Sequence, residues 1–167
     1  HSFPTRRSSD LDLYKQAAVV ALAMYSGRRK AELPRFKVSY FDDENVIFGS
    51  LWKTPEKVKT KGRGSQGKMI NLYVLRNKFK PYFDLWMKQR EELGIESEWL
   101  FPDSEDMTQP IKPETLDCWN DTYTRFLRKE FYWHSLRHYF TTTLSKSGIP
   151  TNVIQDIVNW ESADMRS

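Results

Sequence analysis

The stretch Trp133-His134-Ser135-Leu136-Arg137-His138-Tyr139-Phe140 gathers the side chains best suited to chemistry. On a helix, His134 and Arg137 stand three apart and share a face. That face offers an imidazole that moves a proton near neutral pH and a guanidinium that forks onto a phosphate. The other side, with Leu136, Tyr139, Phe140 and then Leu144, is apolar enough to bury. A His-x-x-Arg spacing is common in proteins, so its meaning depends on the elements around it.

The element that would back this helix is the segment Leu11 to Ser26. Leu13, Ala17, Val20, Ala21 and Met24 recur at helical spacing, and Val19 and Leu22 widen the apolar face. A helix apolar nearly all round belongs in the middle of a core. Gly27 ends it. Arg28-Arg29-Lys30-Ala31-Glu32-Leu33 then forms a short helical turn halted by Pro34. Three adjacent cations at the end of a buried helix call for an anion there, or for the carbonyl end of the helix itself.

From Phe36 the pattern turns to strand. Phe36 to Tyr40 alternates, Asp42-Asp43-Glu44-Asn45 reads as a turn, and Val46-Ile47-Phe48 begins a second strand. Lys57 to Lys61 and Lys68 to Leu75 would form a hairpin around the tip Gly62-Arg63-Gly64-Ser65-Gln66-Gly67. That tip does not match the spacing of a nucleotide-binding Walker loop. Helices are expected over about 77–93, 113–129 and 134–146. A last helix would run from Asn152 to about Asn159, with Thr151 as its cap and Val153, Ile154, Ile157 and Val158 inward. Trp99-Leu100-Phe101-Pro102 reads as a short buried segment, followed by a polar loop. The fold class is α+β, mostly helical, with a small antiparallel sheet.

Composition narrows the partners. The chain has 167 residues, enough for one domain with a core, and one cysteine, Cys118, so no internal disulfide. No apolar run is long enough to span a membrane. Net charge is +4, but residues 51–80 hold seven Lys and two Arg against the lone Glu56. Residues 81–108 are acidic, with eight Asp and Glu against Lys88 and Arg90. The positive charge is therefore a patch, as suits contact with nucleic-acid phosphates, although a solvated basic hairpin would look the same.

Four parts in order carry a family resemblance: Ser26-Gly27-Arg28-Arg29-Lys30-Ala31-Glu32-Leu33, a lysine on a glycine-rich hairpin, His134-Ser135-Leu136-Arg137-His138, and Asn159-Trp160. Together they resemble the catalytic domain of the tyrosine recombinases, the phage integrase family. The family has a Thr/Ser-Gly-x-Arg-x-x-Glu box, a hairpin lysine, a His-x-x-Arg box, and a Gly-His or Gly-Trp pair some 26 residues later. Trp160 lies 26 positions after His134. The likeness covers about residues 11–165.

The resemblance implies roles. Arg29 and Arg137 would grip the scissile phosphate, with Arg28 the variable residue and Glu32 the acid that orients the arginine. Lys61 would protonate the departing 5′ oxygen, with Lys59 as the alternative and Lys68 less favoured. Lys59, Arg63 and Lys68 would contact DNA. His134 would act as acid or base near the attacking phenol. Trp160 stands where many members have histidine; its indole N–H can donate one hydrogen bond but cannot shuttle a proton.

The nucleophilic tyrosine would fall at position 169, beyond Ser167, so this chain alone is expected not to cleave. Tyr132 and Tyr139 match no nucleophile position. The implied parent cleaves double-stranded DNA through a 3′-phosphotyrosine, without metal or cofactor, as a homo-tetramer in the cytoplasm at the bacterial nucleoid. His1 to Asp10 resembles a translated sequencing adaptor and is set aside, which leaves residues 11–167 as one catalytic domain. Two rivals stand beside this reading. One is a DNA-binding module without catalysis. The other is a metal-dependent nuclease, for which Asp42, Asp43 and Glu44 are the only close carboxylates.

Overall fold

The computed structural model describes residues 3–59, 68–119 and 135–157, with side chains from Leu13 onward except those of Ser135, Arg137 and His138. Helix α1, Phe3–Ser26, begins ahead of the expected Leu11. Its second half is the spine of the core. Val19 and Leu22 are fully buried, and Ala18, Ala21 and Ala23 nearly so. The buried stripe is not the one drawn through Leu13 and Ala17. Leu13 is 58% exposed, because the first half of α1 runs past the core. There the Lys15 ammonium lies over the Trp86 ring, 5.8 Å from its centroid, and donates to the Pro102 carbonyl at 3.1 Å.

Two small sheets follow. Strands β1 (Val46–Ile47), β2 (Leu51–Lys53) and β5 (Tyr73–Leu75) form an antiparallel sheet in the order β1-β2-β5. Strands β3 (Val58–Lys59) and β4 (Met69–Ile70) form a separate hairpin, with Val58 opposite Ile70 and Lys59 opposite Met69. The single expected hairpin is thus split. Thr54 and Leu72 mark the crossing, where the Thr54 Oγ1 takes the Leu72 N–H at 2.9 Å. The Asn71 amide donates to the Thr54 carbonyl at 2.7 Å. These bonds satisfy the backbone where the ladder breaks.

The expected strand from Phe36 to Tyr40 does not form. Lys37 makes one bridge to Trp99, and Val38–Phe41 then coils into a 3-10 turn. Tyr40 and Phe41 are both buried, which an alternating strand cannot achieve for adjacent residues. The Asn45 amide caps this turn by donating to the Ser39 and Tyr40 carbonyls. The Phe41 ring then enters an aromatic cluster with Phe36, Trp52, Phe79 and Phe83.

Helix α2, Arg76–Leu93, packs along α1 and carries Phe79 and Trp86 into the core. Tyr82, between them in sequence, is 39% exposed. Near its end Arg90 is buried, and its guanidinium donates to the carbonyls of Ser97, Trp99 and Leu100 at 2.6–3.0 Å. Leu100 and Phe101 are pinned beneath it as the expected buried segment. Helix α3 spans Pro113–Cys118, and the expected continuation to 129 lies outside the described residues. Helix α4, Ser135–Ser145, packs on α1 with Phe140 and Leu144 buried one turn apart. Helix α5 covers residues 151–157. Thr151 begins it rather than capping it, since the Pro150 carbonyl accepts from the Val153 and Ile154 N–H groups. Among the described residues no helix is long and apolar enough to cross a membrane.

Candidate active site

The site is built on the end of α1. Gly27 closes the helix in the left-handed conformation, φ +67°, and its N–H reaches the Ala23 carbonyl at 3.1 Å. A side chain there would have no room. A Cβ on Gly27 would lie 2.5 Å from Cδ2 and 2.9 Å from Cγ of Phe140. Glycine therefore lets α4 press its Phe140 ring directly onto the backbone where α1 ends. Arg29 follows Gly27 by two residues, and Arg137 precedes Phe140 by three. One ring-on-backbone contact thus ties the segment bearing Arg29 to the helix bearing Arg137.

The three cations after Gly27 meet different fates. Arg28 is 2% exposed, and its Nε and Nη2 both donate to Oε1 of Glu32, at 2.8 and 2.5 Å. Glu32 is itself fully buried, at the start of the 3-10 turn Lys30–Arg35. The same Oε1 accepts the Arg29 backbone N–H at 3.3 Å. Lys30 pairs with Asp117 on α3. The Arg29 side chain is half-buried. Glu32 and Asp117, which meet Arg28 and Lys30, are anions of the protein itself. The sequence carries a signal for the first pair, an acid four residues after an arginine, although the family resemblance makes Arg28 only the variable residue of the box.

Beside this junction stand three phenols. Tyr25 of α1 sets its ring 6.0 Å from that of Tyr139 and 6.5 Å from that of Tyr82. Burial, then the neighbouring Tyr139 and Tyr82, push the Tyr25 hydroxyl up to about 12. Tyr25 therefore stays protonated and neutral at physiological pH, where it serves as packing between α1, α2 and α4.

On the other side the β3–β4 hairpin approaches α5. A hollow of about 240 Å³ between them is lined by Lys57, Met69, Asn71, Tyr73 and Asp156. Val58 turns inward and Lys59 outward. Lys68 is also exposed, just before β4. The hairpin that carries the cationic residues thus lies against the helix leading toward Trp160. Lys61, Arg63, His134 and Trp160 lie outside the described residues, as does the Arg137 side chain. Among the described residues no three His, Cys, Asp or Glu side chains gather as a metal would require. Asp43 of the acidic turn instead pairs with Arg76.

Comparison with known proteins adds the family. A sequence model of the phage integrase family matches residues 5–167. The integrase of Salmonella phage P22 is 22% identical over 158 residues, covering 89% of this chain and 37% of its own length. The chain thus spans well under half of that relative. Among solved structures, XerA recombinase superposes with a TM-score of 0.57 at 20% identity, over 86% of this chain and 47% of its own. XerH recombinase bound to its difH substrate gives 0.55 at 15% identity, over 86% of this chain and 39% of its own. The Tn1549 transposon integrase in complex with transposon end DNA gives 0.54 at 17%, over 92% and 56%. The α+β fold is that of the tyrosine recombinase catalytic domain.

Proposed function

Because the chain belongs to the phage integrase family, we propose that it is the catalytic domain of a site-specific DNA recombinase that acts as part of a longer protein. The observation that carries this reading is the Phe140–Gly27 contact, which couples the segments of both phosphate-binding arginine candidates. Arg29 and Arg137 hold the non-bridging oxygens of one scissile phosphate and stabilise the charge that grows on them. A tyrosine at position 169 attacks phosphorus, forming a 3′-phosphotyrosine while the bond to the 5′ oxygen breaks. Lys61 gives that oxygen its proton, and His134 handles the phenol proton. Trp160 donates one hydrogen bond. Resealing runs the same steps in reverse on a new strand, within a tetramer on two duplexes. The phosphotyrosine keeps the energy of the broken bond, so neither metal nor high-energy cofactor is needed.

Duplex binding by this chain tests the interface. Its affinity is expected to fall steeply with added salt, by on the order of tenfold or more between about 50 and 200 mM, because bound cations displace counterions from DNA. Binding indifferent to salt would remove the basic hairpin from the contact. In the longer protein, Lys61→Ala is expected to slow strand cleavage by about 10²-fold or more while changing DNA affinity only a few-fold. A cleavage loss on Lys59→Ala in its place would make Lys59, at the end of β3, the general acid.

A further inference from the structure

Resting on the reading of Arg29 as a phosphate ligand, we propose that Arg28 is a positioning residue that acts through Glu32 and never touches DNA. Four observations converge. Arg28 is 2% exposed and Glu32 fully buried, so the guanidinium is out of reach of a phosphate. Arg28 grips Oε1 of Glu32 with two donors, at 2.8 and 2.5 Å. The Arg28 N–H meets the Ser26 hydroxyl at 3.3 Å, which holds the chain as it leaves α1. Finally, that same Oε1 accepts the Arg29 N–H at 3.3 Å. One carboxylate oxygen therefore binds the side chain of residue 28 and the backbone of residue 29.

The Glu32 carboxylate lies out of water and needs donors from the protein. Arg28 supplies two of them to Oε1 and so fixes where that oxygen sits. Glu32 in turn fixes the backbone from which Arg29 projects. Buried and fork-shaped, Arg28 fits this task better than a lysine would.

The experiment measures binding of this chain to a random-sequence DNA duplex as salt is varied, beside thermal midpoints. Arg29→Ala is expected to lower the slope of log affinity against log salt by about one. Arg28→Met is expected to lower the midpoint sharply, because it strands Glu32. The pair Arg28→Met/Glu32→Leu, an apolar replacement of both ions, is expected to recover the midpoint yet keep a slope lowered by about one. Adding Arg29→Ala to that pair should change the slope no further, since the contact is already lost.

An additive loss of two would show Arg28 reaching a phosphate itself and would overturn the inference. So would a full parental slope in the apolar pair. Arg28→Lys, which keeps the buried cation but not the two-donor grip, covers the case in which the apolar pair does not fold. It is expected to lose slope as Arg29→Ala does, and a parental slope there also overturns the inference. If Arg29→Ala alone leaves the slope unchanged, the reading of Arg29 fails instead.

Discussion

Arg137→Ala in the longer protein is expected to lower strand cleavage by about 10³-fold or more, with the fold intact. A guanidinium on the transferring phosphate opposes charge that grows as the phosphorus is attacked, so its loss falls on the rate far more than on binding. Stability should be largely spared. Helix α4 is held by Phe140 against Gly27 and by Leu144 in the core. The check is single-turnover cleavage of a nicked duplex substrate, read beside the thermal midpoint and the salt slope of DNA binding. The slope should fall by about one, the share of a single phosphate contact. Parental turnover by the variant would take Arg137 out of the site. Equal losses of midpoint and cleavage would make it a structural residue of α4.

What was legible in the sequence follows from how each signal is encoded. Of the helices with long apolar periodicity, α2 starts within a residue of its expected place, while α1 ends at the expected Ser26 but begins at Phe3 rather than Leu11. The short strands are another matter. Leu51–Lys53, the centre of its sheet, buries Leu51 and Trp52 side by side, so it has no alternation to read. Phe36 to Tyr40 does alternate, yet tertiary contacts with Phe79 and Phe83 outweigh that local preference and coil Val38–Phe41 into a turn. The box after α1 could be found by its spacing alone. Its inner wiring could not, because nothing in Arg28-Arg29 says which guanidinium turns inward. Burial decides that, and burial depends on tertiary packing at the end of α1, where Phe140 bears on Gly27 from more than a hundred residues further on.

Gly27 is where that dependence can be measured. Gly27→Ala is expected to destabilise the domain by about 2–5 kcal/mol, from two separable sources. A non-glycine residue at φ +67° carries a penalty of about 1–2 kcal/mol. A Cβ held 2.5 Å from Phe140 Cδ2 forces the ring or α4 aside, at a further 1–3 kcal/mol or so. For a domain of this size the sum lowers the thermal midpoint by about 10 °C. Gly94 and Gly148 supply the control. Each has a positive φ, +69° and +71°, and among the described residues neither has an atom within 4 Å of the Cβ position. Gly94→Ala and Gly148→Ala should therefore show the backbone penalty alone, about 4 °C. The excess at Gly27 measures the Phe140 contact. Phe140→Leu, added to Gly27→Ala, should give back part of that excess, so the two changes together harm less than their sum. A Gly27→Ala variant no less stable than Gly94→Ala would mean that α4 does not bear on the end of α1. The coupling between the segments of Arg29 and Arg137 would then have to run through some other contact.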